Sequence, residues 1–212
     1  DRAWRRGGAC LARMRRTTGA TVQCHRLCRL AREVRRLAAA QPMVVRVPAP
    51  AKVFGDVHGQ LRDLLLLFAY YGAPTHKGGD VQTTSYVFNG DWVDRGPHQL
   101  EVVVLLFALK AMFPSKVFLV RGNHEFRGQN RGMSERGSLG FDRAVRQLMP
   151  AAEARASFEA VHSAFDWLPL AALVAFPGAP PYSLTAAGKV EDGSTVGLIH
   201  RRCLLYTSDA AD

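Results

Sequence analysis

The sequence predicts an α/β fold, a sheet of neighbouring parallel strands with helices between them. Three observations carry this prediction. Short β-rich apolar runs alternate with longer leucine- or valine-rich runs of helical length. Each of the first three β-rich runs stops at a polar, glycine-containing turn. The turns recur at a separation of about one strand-helix crossover plus its loops.

The elements follow in order. Leu27, Leu30, Val34 and Leu37 recur at three and four residues, the spacing of one helix face, and Pro42 closes that helix. Val44, Val45 and Val47 follow, punctuated by Pro48 and Pro50. Lys52, Val53 and Phe54 read as a strand that stops at Gly55. Residues 62–71 are leucine-rich and read as a helix, closed by Gly72 and Pro74; 75–84 read as a polar loop. The pattern repeats with a strand at 85–88, the Asn89-Gly90 turn, a helix at 100–113 ended by Pro114, and a third strand at 116–120 closed by Arg121-Gly122. Residues 126–140 read as a glycine-containing loop, 141–165 as one helix, and the apolar 167–175 as entering a further strand. A Pro-, Gly- and Ser-rich loop at 178–193 precedes a possible strand at 196–199 that ends at His200.

Composition bounds the function classes. Of 212 residues, 48% are hydrophobic, enough for a core, and 22% are charged, so the composition is not that of a disordered chain. The apolar run 102–113 is interrupted by Lys110 and falls short of the roughly 20 residues a membrane span needs, so no membrane association is expected. No charged-then-apolar leader opens the sequence, and a secretory signal is not expected. Of the net charge of +10, residues 1–36 carry +9, from eleven arginines against two acidic residues, leaving only +1 for the rest. That arm reads either as attraction to acidic partners or nucleic acid, or as a solvated, partly helical extension. Few aromatics are interleaved with the arginines, so nucleic acid is not the expected partner. Cys24, His25 and Cys28 lack a second ligand pair for zinc, and the two cysteines fit successive turns of a helix. Sparse cysteine favours a reducing setting, so a cytoplasmic or nuclear location is expected.

Three polar motifs stand at the predicted strand ends: Gly55-Asp56-Val57-His58-Gly59-Gln60, Gly90-Asp91-Trp92-Val93-Asp94-Arg95-Gly96, and Arg121-Gly122-Asn123-His124-Glu125. Asp56 to Asp91 spans 35 residues and Asp91 to Asn123 spans 32, each about one crossover. Ligands in such sheets bind beyond the carboxyl ends of the strands. Parallel neighbours would therefore bring Asp56, His58, Asp91, Asn123 and His124 to one rim. Carboxylate and imidazole suit manganese, iron or zinc. A carboxylate such as Asp91 can bridge two ions, which lower the pKa of bound water. Arg95 offers a planar fork for phosphate oxygens. One Gly-Asp pair after a strand is usually only a turn; three at crossover spacing point to a site.

These three motifs resemble the signatures of the PPP-type serine/threonine protein phosphatases, within the calcineurin-like metallophosphoesterases. The resemblance runs from about Leu30 to Val174, includes Gln41-Pro42-Met43 and the run from Phe165 to Leu170, and is nearest the PP5 and RdgC-like branch. It implies a central β-sandwich flanked by helices, of which this chain holds the N-terminal part. It implies two divalent or trivalent metal ions (Mn, Fe or Zn) and phosphoserine or phosphothreonine proteins as substrates. Asp56 and His58 would hold the first metal, Asp91 would bridge, and Asn123 would bind the second metal. His124 would be the general acid, Asp94 would orient it, and Arg95 would clamp the phosphate, with attack by metal-activated hydroxide and no phosphoenzyme. Regulatory domains or subunits are further expected partners.

Departures are also expected. The family's next metal histidine lies in a His-Gly-Gly motif, and here His200 is followed by Arg201-Arg202, which leaves His200 a candidate ligand only. The loops at 76–83 and 126–140 are longer than usual for the family. The expected organisation is a basic arm at 1–26, a partial phosphoesterase domain at 27–202, and a tail at 203–212 that reads as translated adapter sequence rather than a natural domain end. Alternatives to protein dephosphorylation are a metallophosphoesterase acting on nucleotides, or an inactive fragment that binds phosphoproteins.

Overall fold

The structure, a computed structural model, describes residues 23–132, 139–175 and 195–199, the last five by their backbone. Most of the expected basic arm, the loop at 178–193, His200 and the expected tail lie outside the described residues. The elements are α1 (Cys24–Ala39), β1 (Val44–Pro48), β2 (Ala51–Phe54), α2 (Leu61–Tyr71), β3 (Ser85–Phe88), α3 (Gln99–Met112), β4 (Val117–Leu119), α4 (Arg127–Arg131), α5 (Phe141–Leu148), α6 (Ala151–Phe165), β5 (Ala171–Ala175) and β6 (Thr195–Ile199).

They form two three-stranded sheets, ordered β2-β3-β4 and β1-β5-β6. The first is wholly parallel, with Phe54 opposite Phe88 and Phe88 opposite Leu119. In the second, β1 and β5 are parallel and β6 runs antiparallel to β5. The valines at 44–47 thus begin the second sheet. Alternation along β3 and β4 explains the layering. Tyr86, Phe88, Val117 and Leu119 enter a large core beneath the helices. Val87, Phe118 and Val120 face the other way and join Val45, Val47 and Ala172 in a smaller apolar layer. Side chains from both sheets meet there, as in a sandwich. Ser85 Oγ reaches from β3 to the Pro48 carbonyl at 2.7 Å, tying the strands of the two sheets together.

Three expectations need correction. The face that α1 buries is Leu27, Ala31, Val34 and Ala38, so Leu30 and Leu37 lie at its margin. Alanines fill the seam because α1 packs along α6, where close approach favours small side chains. The single helix expected at 141–165 is two, because Met149 is extended (φ −155°, ψ 160°) ahead of Pro150. Proline excludes the helical region for the residue before it, so this break was legible in the sequence. Finally, the loop expected from 126 contains the short helix α4.

The main core stacks Phe54 on Phe88 at 4.8 Å and sets Phe165 edge-on to Trp92 and Phe107, each at 5.9 Å. Fully burying each such side chain contributes roughly 1.5–3 kcal/mol. Helix α3 is buried on most sides, Lys110 included, whose Nζ donates to the Pro114 and Val117 carbonyls at 2.9 Å each. No helix among the described residues is long and apolar enough to cross a membrane.

Candidate active site

The parallel sheet sends all three motifs off the same edge, and backbone contacts lock them together. Val57 and His58 N–H both donate to the Asp91 carbonyl (3.0 and 2.9 Å), and Gly59 N–H donates to that of Trp92 (2.8 Å). Two glycines allow the second and third motifs to touch. Gly90 has φ +83°, and a Cβ there would stand 2.4 Å from the Gly122 backbone. A Cβ on Gly122 would stand 2.4 Å from Asp91 N and Oδ1. Only hydrogen fits at either position. His58, Asp91, Asp94 and Arg95 also adopt positive φ, at 43°, 54°, 62° and 74°. Each such residue costs on the order of 1–3 kcal/mol, and such strain gathers at functional sites.

One buried carboxylate holds this turn together. Glu125 Oε2 accepts from Asp91 N and Gly122 N at 2.8 Å each, and Oε1 accepts from Trp92 N at 2.9 Å. Burial, and then the neighbouring Asp91 charge, push the Glu125 carboxyl upward, opposed by those three N–H donors. Glu125 lies in the third motif, but the sequence offered no role for it.

Around that frame the predicted metal residues converge. His58 Nδ1 lies 2.7 Å from the Val93 carbonyl, which can only accept, so Nδ1 carries the proton and Nε2 keeps its lone pair. Nε2 faces Asp91 Oδ2 at 3.8 Å and Asp56 Oδ2 at 3.9 Å. Those separations are too long for hydrogen bonds. Burial first, then the Arg95 and His124 charges, lower the His58 pKa against the opposing Val93 bond, which favours the neutral ring. Nε2 is buried with no hydrogen-bond partner among the described residues, and so is Asn123 Oδ1. An unsatisfied buried acceptor costs about 1–3 kcal/mol. A buried imidazole acceptor facing two carboxylates is a donor set for cations, so the residues present fit the implied metal ions. His58, Asp91 and His124 offer ligand atoms all within 4.8 Å of one another.

His124 is held differently. Its backbone N–H donates to Asp91 Oδ1 at 2.9 Å, and its Nδ1 lies 2.7 Å from Asp94 Oδ2. Asp94 also accepts from Asn130 Nδ2 (2.9 Å) and from Phe141 N–H (2.8 Å). Asn130 Nδ2 further donates to the His124 carbonyl at 2.7 Å. Gln99 secures the turn from behind, accepting from Asp94 N–H and donating to the Gly96 and Leu139 carbonyls. The His124 ring meets His58 edge to face at 4.7 Å, and its Nε2 stands 3.5 Å from the exposed Arg95 guanidinium. An imidazole and a guanidinium thus stand side by side at the strand ends. Sequence reasoning missed Asn130 and Gln99, since each stands outside the motifs and shows itself only through contacts.

The structure therefore brings together Asp56, His58, Asp91, Asp94, Arg95 and His124, with Asn123 buried beside His124 in the same turn. His200 lies outside the described residues. Carboxylates and imidazoles gathered at the strand ends of an α/β sandwich are the residue types of a metal-binding site. The chain belongs to the calcineurin-like phosphoesterase family, whose model matches residues 49–205. It is 38% identical over 153 residues to the serine/threonine-protein phosphatase BSL2 of Arabidopsis thaliana, covering 72% of this chain and 14% of that protein. It also resembles the solved structure of a Saccharomyces cerevisiae protein serine/threonine phosphatase described as similar to human phosphatase PP5. That match has a TM-score of 0.63 and 28% identity, and covers 80% of this chain and 52% of the other. The chain thus spans about half the solved relative and a smaller share of the plant protein.

Proposed function

We propose that the protein containing this chain is a serine/threonine protein phosphatase that hydrolyses phosphoserine and phosphothreonine in proteins. Asp56, His58, Asp91 and Asn123 are the residues that would hold two metal ions, with manganese, iron or zinc as the candidates; His200 remains a candidate further ligand. When bound, such ions supply charge neutralisation and make water nucleophilic near neutral pH. The chain's own groups do the rest. Arg95 binds phosphate oxygens through its planar guanidinium. His124 presents Nε2 beside Arg95 and gives its proton to the departing serine or threonine oxygen. Asp94 holds Nδ1 and stabilises the imidazolium before that transfer.

The observation that carries this reading is the pairing of His124 Nδ1 with Asp94 Oδ2 at 2.7 Å, beside the unsatisfied Nε2 of His58. The identities to named serine/threonine phosphatases support the choice of substrate. Metal-loaded protein should be assayed on phosphoserine peptides and on dinucleoside polyphosphates. Faster turnover of the nucleotide would overturn the assignment, and phosphopeptide binding without turnover would point to a binding protein instead. Regulatory domains or subunits belong to the same proposal and would appear as partners co-purifying with the active enzyme.

A further inference from the structure

Away from the candidate active site, at the start of α1, two free thiols face each other. Cys24 and Cys28 lie one turn apart with Sγ atoms 3.8 Å apart, and both are half-buried. They line the seam with α6, where Cys24 Sγ lies 3.5 Å from the Glu153 carbonyl and Cys28 Sγ lies 3.9 Å from that of Ala156. Bonds to sulfur of about 2.3 Å, the zinc-thiolate length, are long enough for one centre to reach both atoms across 3.8 Å. One small thiophilic centre therefore bridges the pair with the helix in place.

The chemistry of that centre can be narrowed. A disulfide needs Cβ atoms about 3.5–4.5 Å apart, whereas residues four apart on a helix hold theirs about 5–6 Å apart. A structural zinc ion needs four donors, and the seam supplies two sulfurs among the described residues. Burial, the hydrogen bond with Cys24 and the charge on Cys24 raise the Cys28 pKa, outweighing the opposing pull of Arg32. Cys28 thus holds its proton more firmly than a free thiol does.

We propose that Cys24 and Cys28 form a dithiol binding site for monosubstituted trivalent arsenicals. The step balances without an oxidant. An oxo-arsenical condenses with both thiols: two arsenic-sulfur bonds form, the arsenic-oxygen double bond breaks, and the oxygen leaves as water carrying both thiol protons. Arsenic remains trivalent, and no side chain is oxidised. This site is independent of the phosphatase reading, since it needs neither metal nor turnover.

The test uses the full chain and phenylarsine oxide. Intact-mass measurement should show one phenylarsenic group per chain and two thiols lost to alkylation, both mapped to the peptide carrying residues 24 and 28. A Cys10→Ser/Cys203→Ser variant should bind unchanged. Cys24→Ser and Cys28→Ser, repeated as alanine variants, should each weaken binding by about 100-fold or more, because the second bond loses its intramolecular advantage. Circular dichroism on each variant separates loss of the site from loss of the fold. Binding retained in either single variant, arsenic mapped to Cys10 or Cys203, or no 1:1 adduct with folded chain would overturn the proposal.

Discussion

Asp94 Oδ2 and His124 Nδ1 stand 2.7 Å apart with both side chains essentially inaccessible to water. The contact joins the second motif to the third and leaves His124 Nε2 as the ring nitrogen that faces Arg95. Replacing His124 by Asn should lower kcat on a phosphoserine peptide by about 10²–10⁴ while metal content is unchanged. Asp94→Asn should lower kcat by a similar order, and the double variant should be little worse than either single. Additive losses, measured by steady-state kinetics, would show that the two residues do not act as a unit.

Asp91 faces His58 Nε2 through Oδ2 and accepts from His124 N–H through Oδ1. Asp91→Asn should therefore reduce both bound metal and turnover. Elemental analysis of the purified variant checks this, and an unchanged metal-to-protein ratio would remove Asp91 from the ligand set.

Asn130 Nδ2 donates to both Asp94 and the His124 carbonyl. Truncating it leaves two buried acceptors short of a donor, at about 1–3 kcal/mol of stability. Asn130→Ala should lower the urea midpoint accordingly and depress kcat more than KM. A variant of unchanged stability and kcat would mean that Asp94 is held by its other donors alone.

His162 sits among Phe141, Phe158 and Phe165 with neither ring nitrogen hydrogen-bonded among the described residues. Burial, followed by the charges of Arg127, Arg121 and Arg131, lowers its pKa from 6.5 to about 3. A buried neutral imidazole makes the unfolded state bind the extra proton between those values. Stability from this group is thus present above pH 6.5 and lost as pH falls toward 3, by up to about 5 kcal/mol. His162→Phe should flatten the acid limb of stability measured by urea unfolding between pH 7 and 4. An equally steep limb would place the acid sensitivity in other groups.

Much of this fold was legible before any coordinates. The strand at 85–88 is reproduced residue for residue, and the helices around 62–71 and 100–113 within one residue at each end. Those segments combine strong apolar patterning with glycine or proline punctuation, both of which act locally. The break at Pro150 was also readable, from the restriction proline places on Met149. The alanine seam of α1 was not, because alanine's value there depends on how closely α6 approaches.

The sequence by itself determined the three strand ends and the chemical types they carry: Asp56 and His58, Asp91 and Asp94, Asn123 and His124. Local preferences and crossover spacing suffice for that, since each depends on residues near in the chain. Only the tertiary structure decided which atoms remain available. Val93 takes His58 Nδ1, Asp94 takes His124 Nδ1, and Glu125, Gln99 and Asn130 brace the turns that present them. Those assignments join groups up to 36 residues apart, and a hydrogen bond over that separation is set by packing rather than by local pattern.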